Sequence, residues 1–186
     1  MRVETAPIPG VLLIEPDCFC DQRGFFFESF QEERYRALGI TDQFVQDNIS
    51  RSVRDVLRGL HYQMKRPQAQ IVSVVRGRVF DAVVDLRRNS PAFRQWYGME
   101  ISDEHARQVY MPPGVAHGFC VLSDAADLHY KVSRNYDPSD EAGIVWNDPD
   151  VGIKWPIKQP MVSQRDSEYP MLRDVRPDNL PTYASL

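Results

Sequence analysis

The sequence predicts an all-β fold, an antiparallel sandwich or jelly roll built from short strands. Fourteen prolines and ten glycines divide the 186 residues into short segments. Many of these segments alternate apolar and polar residues, which is typical of strands. Hydrophobic residues make up 42% of the chain. That is enough to bury a full core, so we expect a single domain over residues 1–186.

The first third of the chain contains the clearest helix. Residues 11–15 form a short apolar run, and residues 24–30 are rich in aromatic side chains. Residues 31–38 have the pattern of a helix, and Gly39 supplies a natural stop after it.

The middle of the chain predicts a β-hairpin. Its strands are residues 71–75 and 78–86, joined by Arg76-Gly77. In the second strand, alternation places Asp81 and Asp85 on the same face. Such a face borders either solvent or a polar cavity, and solvent is the favoured interpretation.

The second half predicts further strands and then a change of pattern. Residues 112–114, Pro-Pro-Gly, predict a tight turn between two strands. Residues 150–186 lose the alternation, so we expect short helices and loops packed on the outside. The further strand candidates are residues 95–102, 108–111, 116–122 and 127–133.

Composition excludes several classes of protein. The net charge of −4 gives no overall basic field for nucleic acid. No apolar run approaches the roughly 20 residues of a membrane helix, and residues 1–10 lack the apolar core of a signal peptide. The odd cysteine count predicts reduced thiols and a cytoplasmic location. Cys18 and Cys20 share one strand face, and we expect both to be buried as small hydrophobic residues.

Two of the four histidines are candidates for chemistry. His61 follows a strand-like run, and His117 lies in an apolar run beside the Pro-Gly turn, where barrel mouths hold ligands. For each, a functional and a structural role are about equally supported by the sequence. His105 lies in a charged connection and is expected at the surface, and His129 is interpreted as structural.

A metal site is not expected. Pro112, Gly114 and His117 match the second short motif of cupins, Pro-x-Gly-x-x-His. Metal-binding cupins need two alternating histidines in their first motif, and the matching place here reads His61-Tyr62-Gln63. One or two histidines without an ordered set of carboxylates make a poor transition-metal site.

Several arginines are candidates for holding a phosphate. Arg23 and Arg58 are accompanied in the sequence by amide side chains that suit hydroxyls and base edges. Arg51 and Arg54 are interpreted as ordinary surface charges.

Six motifs resemble those of the dTDP-4-dehydrorhamnose 3,5-epimerase family, in the same order and with similar spacing. The resemblance runs from about residue 11 to residue 166. The motifs are Asp21-Gln22-Arg23-Gly24-Phe25-Phe26-Phe27-Glu28-Ser29, Phe44-Val45-Gln46-Asp47-Asn48, Leu57-Arg58-Gly59-Leu60-His61-Tyr62-Gln63, Ala116-His117-Gly118-Phe119, Tyr130-Lys131 and Trp146-Asn147-Asp148-Pro149.

The resemblance implies a fold, a substrate and an assembly. The fold is a cupin-type jelly roll with short peripheral helices, and the assembly is a homodimer that exchanges N-terminal strands. The substrate is a nucleoside-diphosphate 4-keto-6-deoxy sugar, which the enzyme inverts at carbon 3, carbon 5 or both. The implied conversion is dTDP-4-dehydro-6-deoxyglucose to dTDP-4-dehydrorhamnose, with no cofactor, metal, nucleic acid or membrane involved.

The resemblance also implies catalytic roles for three residues. His61 matches the base, Tyr130 the proton donor and Asp166 the carboxylate that pairs with the base. Other positions match substrate contacts: Arg58 and His117 in the sugar pocket, Tyr136 stacked on the base, Glu141 and Arg165 at two further contacts, and Arg23, Glu28, Gln46 and Asn48 on the nucleotide side, some of them reaching across the dimer. Arg165 stands where a lysine is usual.

The chemistry agrees with these roles. Protons next to a ketone are acidified because the resulting anion spreads onto oxygen as an enolate, and the ketone at carbon 4 acidifies both carbon 3 and carbon 5. A base on one face removes the proton, and an acid on the other face returns it with inverted configuration. No nicotinamide is needed, which fits the absence of a Gly-rich dinucleotide loop.

One position departs from the family pattern. Where the family usually reads Gln-Gly-Lys-Leu-Val, residues 68–72 read Gln-Ala-Gln-Ile-Val, so Gln70 replaces a lysine. A lysine there would stabilise the enolate by its charge, whereas Gln70 can donate only a neutral hydrogen bond. Arg58 and His117 are candidates to compensate.

This departure leaves alternatives open. The chain can be an epimerase of one carbon, an epimerase for another 4-keto sugar nucleotide, or a ketoisomerase. More distant alternatives are a non-catalytic sugar-nucleotide-binding cupin and a metal-dependent cupin dioxygenase.

Overall fold

The computed structural model describes residues 1–183, so residues 184–186 of the predicted domain and of its predicted peripheral segment lie outside the described residues. The described part has thirteen strands, two short α-helices and two 3-10 helices at Leu172–Asp174 and Pro177–Asn179. The α-helices are α1 (Glu32–Ala37) and α2 (Gln164–Glu168). The strands are β1 (Arg2–Thr5), β2 (Leu12–Glu15), β3 (Cys18–Asp21), β4 (Gly24–Phe27), β5 (Gln46–Val53), β6 (Leu57–Gln63), β7 (Gln70–Arg76), β8 (Arg78–Asp85), β9 (Trp96–Ser102), β10 (Gln108–Met111), β11 (Val115–Val121), β12 (Ala125–Val132) and β13 (Glu141–Gly143).

Two antiparallel sheets make up the sandwich, which confirms the predicted fold class. The six-stranded sheet has the order β1-β2-β10-β7-β12-β5, and the five-stranded sheet has the order β13-β6-β11-β8-β9. Their inner faces share one apolar core, to which β7 contributes Val72 and Val74 and β11 contributes Phe119 and Val121. Both inner faces are buried here because alternation points every second side chain inward.

The outer faces of both sheets are partly covered. Helix α1 begins after Gln31, whose side chain accepts a hydrogen bond from the Arg34 amide at 2.7 Å, and its Tyr35 is buried against the six-stranded sheet. The segment after β13 covers the five-stranded sheet, where Leu172 and Leu180 pack on Val84 and Leu86. The predicted helix at residues 31–38 is therefore confirmed, with its ends each one residue shorter.

The predicted hairpin is wrong, although both of its strands exist. Strand β7 pairs with β10 and β12 in one sheet, whereas β8 pairs with β11 and β9 in the other. The chain crosses between the sheets at Gly77, whose φ is +82°. A Cβ at this position would lie 2.2 Å from the Ala125 carbonyl oxygen, so the close crossing requires glycine.

The acidic face of β8 does not border solvent, so the favoured interpretation of that face is also wrong. Asp81 and Asp85 are both fully buried. Asp85 accepts hydrogen bonds from Arg87 and Ser90 and so stabilises the turn that follows β8. Asp81 is bonded to His117 at the cavity described below. Burial of carboxylates is tolerated at both places because other side chains form hydrogen bonds with them.

Strands β3 and β4 form a separate two-stranded hairpin, which we call the arm (residues 18–27). Cys18 and Cys20 are exposed on it, so the expectation that they are buried is wrong. Their side chains do share a face, with the two sulfur atoms 3.7 Å apart. The arm lacks the second layer of structure that would bury them.

Candidate active site

A cavity of about 330 Å³ opens between the two sheets. Strands β6 and β11 of the five-stranded sheet both contribute to its walls. Its lining is rich in polar and titratable side chains: Asn48, Ser50, Arg58, His61, Tyr62, Gln63, Gln68, Gln70, His117, Phe119, Tyr130, Val132, Tyr136, Glu141 and Arg165.

His61 and Asp166 form a hydrogen-bonded pair at this cavity. His61 Nε2 lies 2.9 Å from Asp166 Oδ1, and the Gly59 amide donates to Asp166 Oδ2 at 3.2 Å. The Asp166 side chain is only 3% exposed. Burial on its own raises the pKa of Asp166, but the His61 and Gly59 hydrogen bonds and the attraction of His61 outweigh it, and the pKa is lowered. Asp166 is thus an ionised partner that holds Nε2, which leaves Nδ1 of His61 to accept a proton.

The two candidate histidines lie side by side on neighbouring strands. His61 of β6 is the cross-strand partner of His117 on β11, with a register shift just after His117. The strands approach closely here, since a Cβ on Gly59 would lie 2.5 Å from the Gly118 Cα. The pair Gly59 and Gly118 therefore explains how the sequence brings both histidines to one wall of the cavity.

His117 has its own buried carboxylate partner. Its Nε2 lies 2.7 Å from Asp81 Oδ2, and the His117 and Asp81 side chains are 7% and 0% exposed. Asp81 Oδ1 has no hydrogen-bond partner among the described residues. The carboxylate fixes the orientation of the imidazole at the cavity wall.

Tyr130 faces the histidines from the opposite wall. It lies on β12 of the six-stranded sheet, whereas His61 and His117 lie in the five-stranded sheet. The Tyr130 hydroxyl is 3.1 Å from Ser50 Oγ. Burial raises the pKa of Tyr130 to about 12, although the Ser50 hydrogen bond and the attraction of Arg58 oppose the rise. The phenol therefore keeps its proton throughout the neutral pH range.

Arg58 and two glutamines complete the inner part of the cavity. The Arg58 guanidinium donates from Nε to Ser52 Oγ at 3.0 Å. Gln70, the residue at the position of the family lysine, lines the cavity from β7. The Gln68 carbonyl oxygen is buried there without a partner among residues 1–183. Arg58 is thus the cation of this inner region, beside neutral amides.

The outer part of the cavity joins the predicted nucleotide contacts. Gln46 donates to Asn48 Oδ1 at 2.8 Å and accepts from the Tyr136 backbone amide at 3.0 Å. Arg165 Nη1 lies 2.7 Å from Glu141 Oε1. Tyr136 is 41% exposed and lines the cavity, so its aromatic side chain is a candidate for stacking.

Four predicted site residues do not line the cavity within one chain: Gln46 and Asp166 bond to residues that line it, whereas Arg23 and Glu28 lie away from it. Arg23 lies on the arm, is 85% exposed and pairs with Asp21 at 2.5 Å. Glu28 follows the arm and lies 3.2 Å from Arg34. Arg51 and Arg54 pair with Asp127 and Asp124 at the surface, as the sequence predicted.

Sequence reasoning missed four residues of the site. Asp81 is visible in the sequence as a carboxylate on an apolar strand, but alternation alone favours a face that borders solvent. Tyr169, whose ring centroid is 5.6 Å from that of His61, and the hydroxyls of Ser50 and Ser52 carry no sequence signal. Their partners are too distant in the chain for a local pattern to show them.

No group of three or more His, Cys, Asp or Glu side chains in residues 1–183 is placed to hold a metal ion. None of the helices formed by these residues is long and apolar enough to cross a membrane.

Comparison with known proteins assigns the family. The family model for dTDP-4-dehydrorhamnose 3,5-epimerase matches residues 5–174. The dTDP-4-dehydrorhamnose 3,5-epimerase of Pseudomonas aeruginosa is 48% identical, over 90% of this chain and 94% of the relative. The dTDP-4-dehydrorhamnose 3-epimerase of Streptomyces niveus is 42% identical, over 100% of this chain and 91% of the relative. The crystal structure of dTDP-6-deoxy-D-glucose-3,5-epimerase from Legionella pneumophila, in complex with dTDP-4-keto-L-rhamnose, superposes with a TM-score of 0.96 at 46% identity, covering 99% of each chain. The chain belongs to the dTDP-4-dehydrorhamnose 3,5-epimerase family.

Proposed function

We propose that this protein is an isomerase that inverts carbon 3, carbon 5 or both of a dTDP-linked 4-keto-6-deoxy sugar; inversion at both carbons converts dTDP-4-dehydro-6-deoxyglucose to dTDP-4-dehydrorhamnose. One observation carries the proposal. An imidazole paired with an ionised carboxylate and a protonated phenol face each other from opposite sheets across one cavity. Inversion by proton transfer needs this arrangement, because the proton leaves from one face and returns to the other.

In the first step His61 removes a proton from the carbon beside the ketone. The electron pair of the broken C–H bond moves to form a C=C bond, and the ketone oxygen becomes the enolate oxygen. His61 becomes a cation, which Asp166 stabilises at 2.9 Å. The negative charge that develops on oxygen is near Arg58, and histidine and amide side chains line the same cavity.

In the second step Tyr130 returns a proton to the same carbon from the opposite face. The C=C electrons form the new C–H bond, the ketone is restored and Tyr130 becomes a phenolate. Water returns a proton to Tyr130 and takes one from His61, so no redox change occurs. The sequence of steps can then be repeated at the second carbon, because the same ketone acidifies both.

The substrate assignment is supported by the outer cavity and by the relatives. An exposed Tyr136 ring, paired amides and Arg165 offer stacking and hydrogen bonds to a nucleotide. The Legionella pneumophila enzyme is in complex with dTDP-4-keto-L-rhamnose. The relatives include both 3,5- and 3-epimerases, so similarity alone does not fix the number of inverted carbons.

The proposed assembly is a homodimer in which each arm reaches the other subunit. The arm exposes Phe19, Phe25 and Phe26, each at least 60% accessible. Strand β5, which pairs only with β12 in the described part of the chain, is an open edge that exposes Ile49 and Val53. An arm laid along the edge of a partner subunit covers both surfaces and brings Arg23 and Glu28 towards that subunit's cavity. Sedimentation that finds only monomer at assay concentrations would contradict this part of the proposal.

The three free thiols and the substrate class fit a cytoplasmic location.

The direct test of the activity uses NMR of 4-keto-6-deoxy sugar nucleotides incubated with the protein in deuterium oxide. We expect deuterium at carbon 3, carbon 5 or both, together with inverted configuration. Binding without any deuterium incorporation would contradict the epimerase and would favour the alternative of a non-catalytic sugar-nucleotide-binding protein.

Activity should not depend on a metal ion. Proton transfer between His61, substrate and Tyr130 needs no Lewis acid, and the charges beside the enolate come from side chains. Prolonged treatment with a chelator should therefore leave turnover within about twofold of the untreated rate. Loss of activity that one divalent ion restores would refute the metal-independent mechanism. A chelator added together with excess magnesium serves as the control.

Tyr136→Ala should weaken binding more than chemistry. The ring lies at the outer end of the cavity, and aromatic stacking contributes about 1 kcal/mol, so we expect a rise in KM of about fivefold to tenfold with little change in kcat. Tyr136→Phe is the matched control, since it keeps the ring and should keep the affinity. Equal affinity for the Ala variant and the unaltered protein would remove Tyr136 from the nucleotide site.

Gln70→Lys should strengthen enolate stabilisation. An ammonium near the developing oxyanion replaces a neutral donor, so exchange should become about tenfold faster or extend to a second carbon. Gln70→Glu introduces the opposite charge and should slow exchange. If both variants change the rate in the same direction, charge at position 70 does not act on the enolate.

A further inference from the structure

Two serines on strand β5 bond to different parts of the site. Ser50 and Ser52 are separated by one residue, so they face the same side of the strand. Ser50 Oγ lies 3.1 Å from the Tyr130 hydroxyl, and Ser52 Oγ accepts from Arg58 Nε at 3.0 Å. Ser52 is 4% exposed, and Ser50 lines the cavity.

The direction of the Ser50–Tyr130 hydrogen bond decides whether Tyr130 can act as an acid. If the phenol donates to Ser50, its proton points away from the substrate. If Ser50 donates to the phenol oxygen, the Tyr130 proton is free to point into the cavity. Donation by Ser50 is also the direction required after proton transfer, because a phenolate accepts hydrogen bonds only.

Apart from the attraction of Arg58, the hydrogen bond with Ser50 is the support that the described surroundings give the phenolate. Ser50 is the hydrogen-bond partner of the Tyr130 hydroxyl in the described chain, and the Arg58 guanidinium is held by Ser52. Burial raises the pKa of Tyr130, and the Ser50 hydrogen bond acts against that rise. A buried anion without a donor is costly, so a single well-placed hydroxyl has a large effect here.

We propose that Ser50 is a positioning residue for the epimerisation: its hydroxyl donates to Tyr130, aims the phenol proton into the cavity and stabilises the phenolate left after protonation of the enolate. This inference rests on the proposed function, in which Tyr130 is the acid. Ser52, two residues along the same strand, instead holds Arg58. Through Arg58 it affects stabilisation of the enolate oxygen and not the proton donor.

The kinetic test compares Ser50→Ala with Ser52→Ala, alone and combined with Tyr130→Phe. Ser50→Ala should slow inversion about tenfold to a hundredfold while deuterium exchange stays near the normal rate, because only reprotonation is impaired. Ser50→Thr keeps the hydroxyl and should restore inversion. Ser52→Ala should instead slow exchange and inversion together.

The double variants separate positioning from general structural damage. If Ser50 acts through the Tyr130 hydroxyl, Ser50→Ala should cause no further loss once Tyr130 is phenylalanine. Ser52→Ala should keep its full effect in the Tyr130→Phe background, since Arg58 is unchanged. An equal loss from Ser50→Ala in both backgrounds would overturn the proposal.

A second measurement does not depend on turnover. A fluorinated tyrosine placed at position 130 ionises at lower pH than tyrosine, and ¹⁹F NMR follows its titration in the folded protein. Removing the Ser50 donor should raise the pKa of this group by about one unit, and Ser50→Thr should not. An unchanged pKa in Ser50→Ala would refute the hydrogen bond as proposed. If Tyr130→Phe failed to separate exchange from inversion, the proposed acid would be wrong, and this titration would still decide whether Ser50 donates to residue 130.

Discussion

His61→Ala should reduce deuterium exchange and turnover together and to the same extent. Removal of the proton starts the reaction, and Asp166 cannot substitute because it is buried, 2.9 Å from His61 Nε2, and does not line the cavity. General acid–base groups contribute roughly 10²–10⁴-fold, so the loss should be of that size in both measurements. NMR in deuterium oxide reports exchange and inversion in one experiment.

Two further variants control the His61 result. Asp166→Asn keeps the imidazole but removes the charge that stabilises its cation, so it should show a milder loss of exchange and inversion alike. His105→Ala removes an exposed histidine from the surface and should have no effect. Normal exchange in His61→Ala, in a protein that melts at the usual temperature, would refute His61 as the base.

The sequence predicts strands better than it predicts their partners. The alternation of residues 71–75 and 78–86 correctly indicates two strands, but a short connection does not determine whether they pair. Long-range pairing with β10, β12, β11 and β9 places them in opposite sheets. Gly77 permits the crossing, and in the sequence it is indistinguishable from a hairpin glycine.

Burial was harder to predict than strand position, for a similar reason. Alternation puts Asp81 and Asp85 on one face of β8, but their partners decide whether that face is buried. The partner of Asp81 is His117, 36 residues later. Cys18 and Cys20 are the opposite case: they are expected to be buried, but no second sheet or helix of the described chain packs on the arm, so both are exposed.

The site was predictable where motifs carry it. His61, His117 and Tyr130 lie in short motifs, and the cavity does bring these three residues together. Asp166 lies 105 residues from His61, so only the family resemblance suggested that pairing. Ser50 and Tyr130 are 80 residues apart, and nothing in a Ser-Arg-Ser stretch of the sequence indicates a bond to a distant phenol. Contacts of this kind depend on the register of β5 against β12.

Tyr130→Phe should separate the two halves of the reaction. The variant lacks only the group that returns a proton on the opposite face, so the enolate can still form at His61. His61 then reprotonates the same carbon on the original face, because its wall of the cavity is unchanged. We expect deuterium exchange within about tenfold of the normal rate, with inversion reduced roughly 10²–10⁴-fold. The position of deuterium and the configuration at each carbon, both read by NMR, measure the two effects.

Tyr110→Phe is the matched control for this variant. Tyr110 is also a buried tyrosine with a hydrogen bond, donated to Asp42 at 2.7 Å, but it packs under helix α1 outside the cavity. Its loss should lower stability and leave the ratio of exchange to inversion unchanged.

A Tyr130→Phe protein that loses exchange and inversion equally would mean that Tyr130 supports proton removal as well. A protein that keeps full inversion would mean that another group on the six-stranded sheet supplies the proton. Only a selective loss of inversion supports a base and an acid that act from opposite sheets.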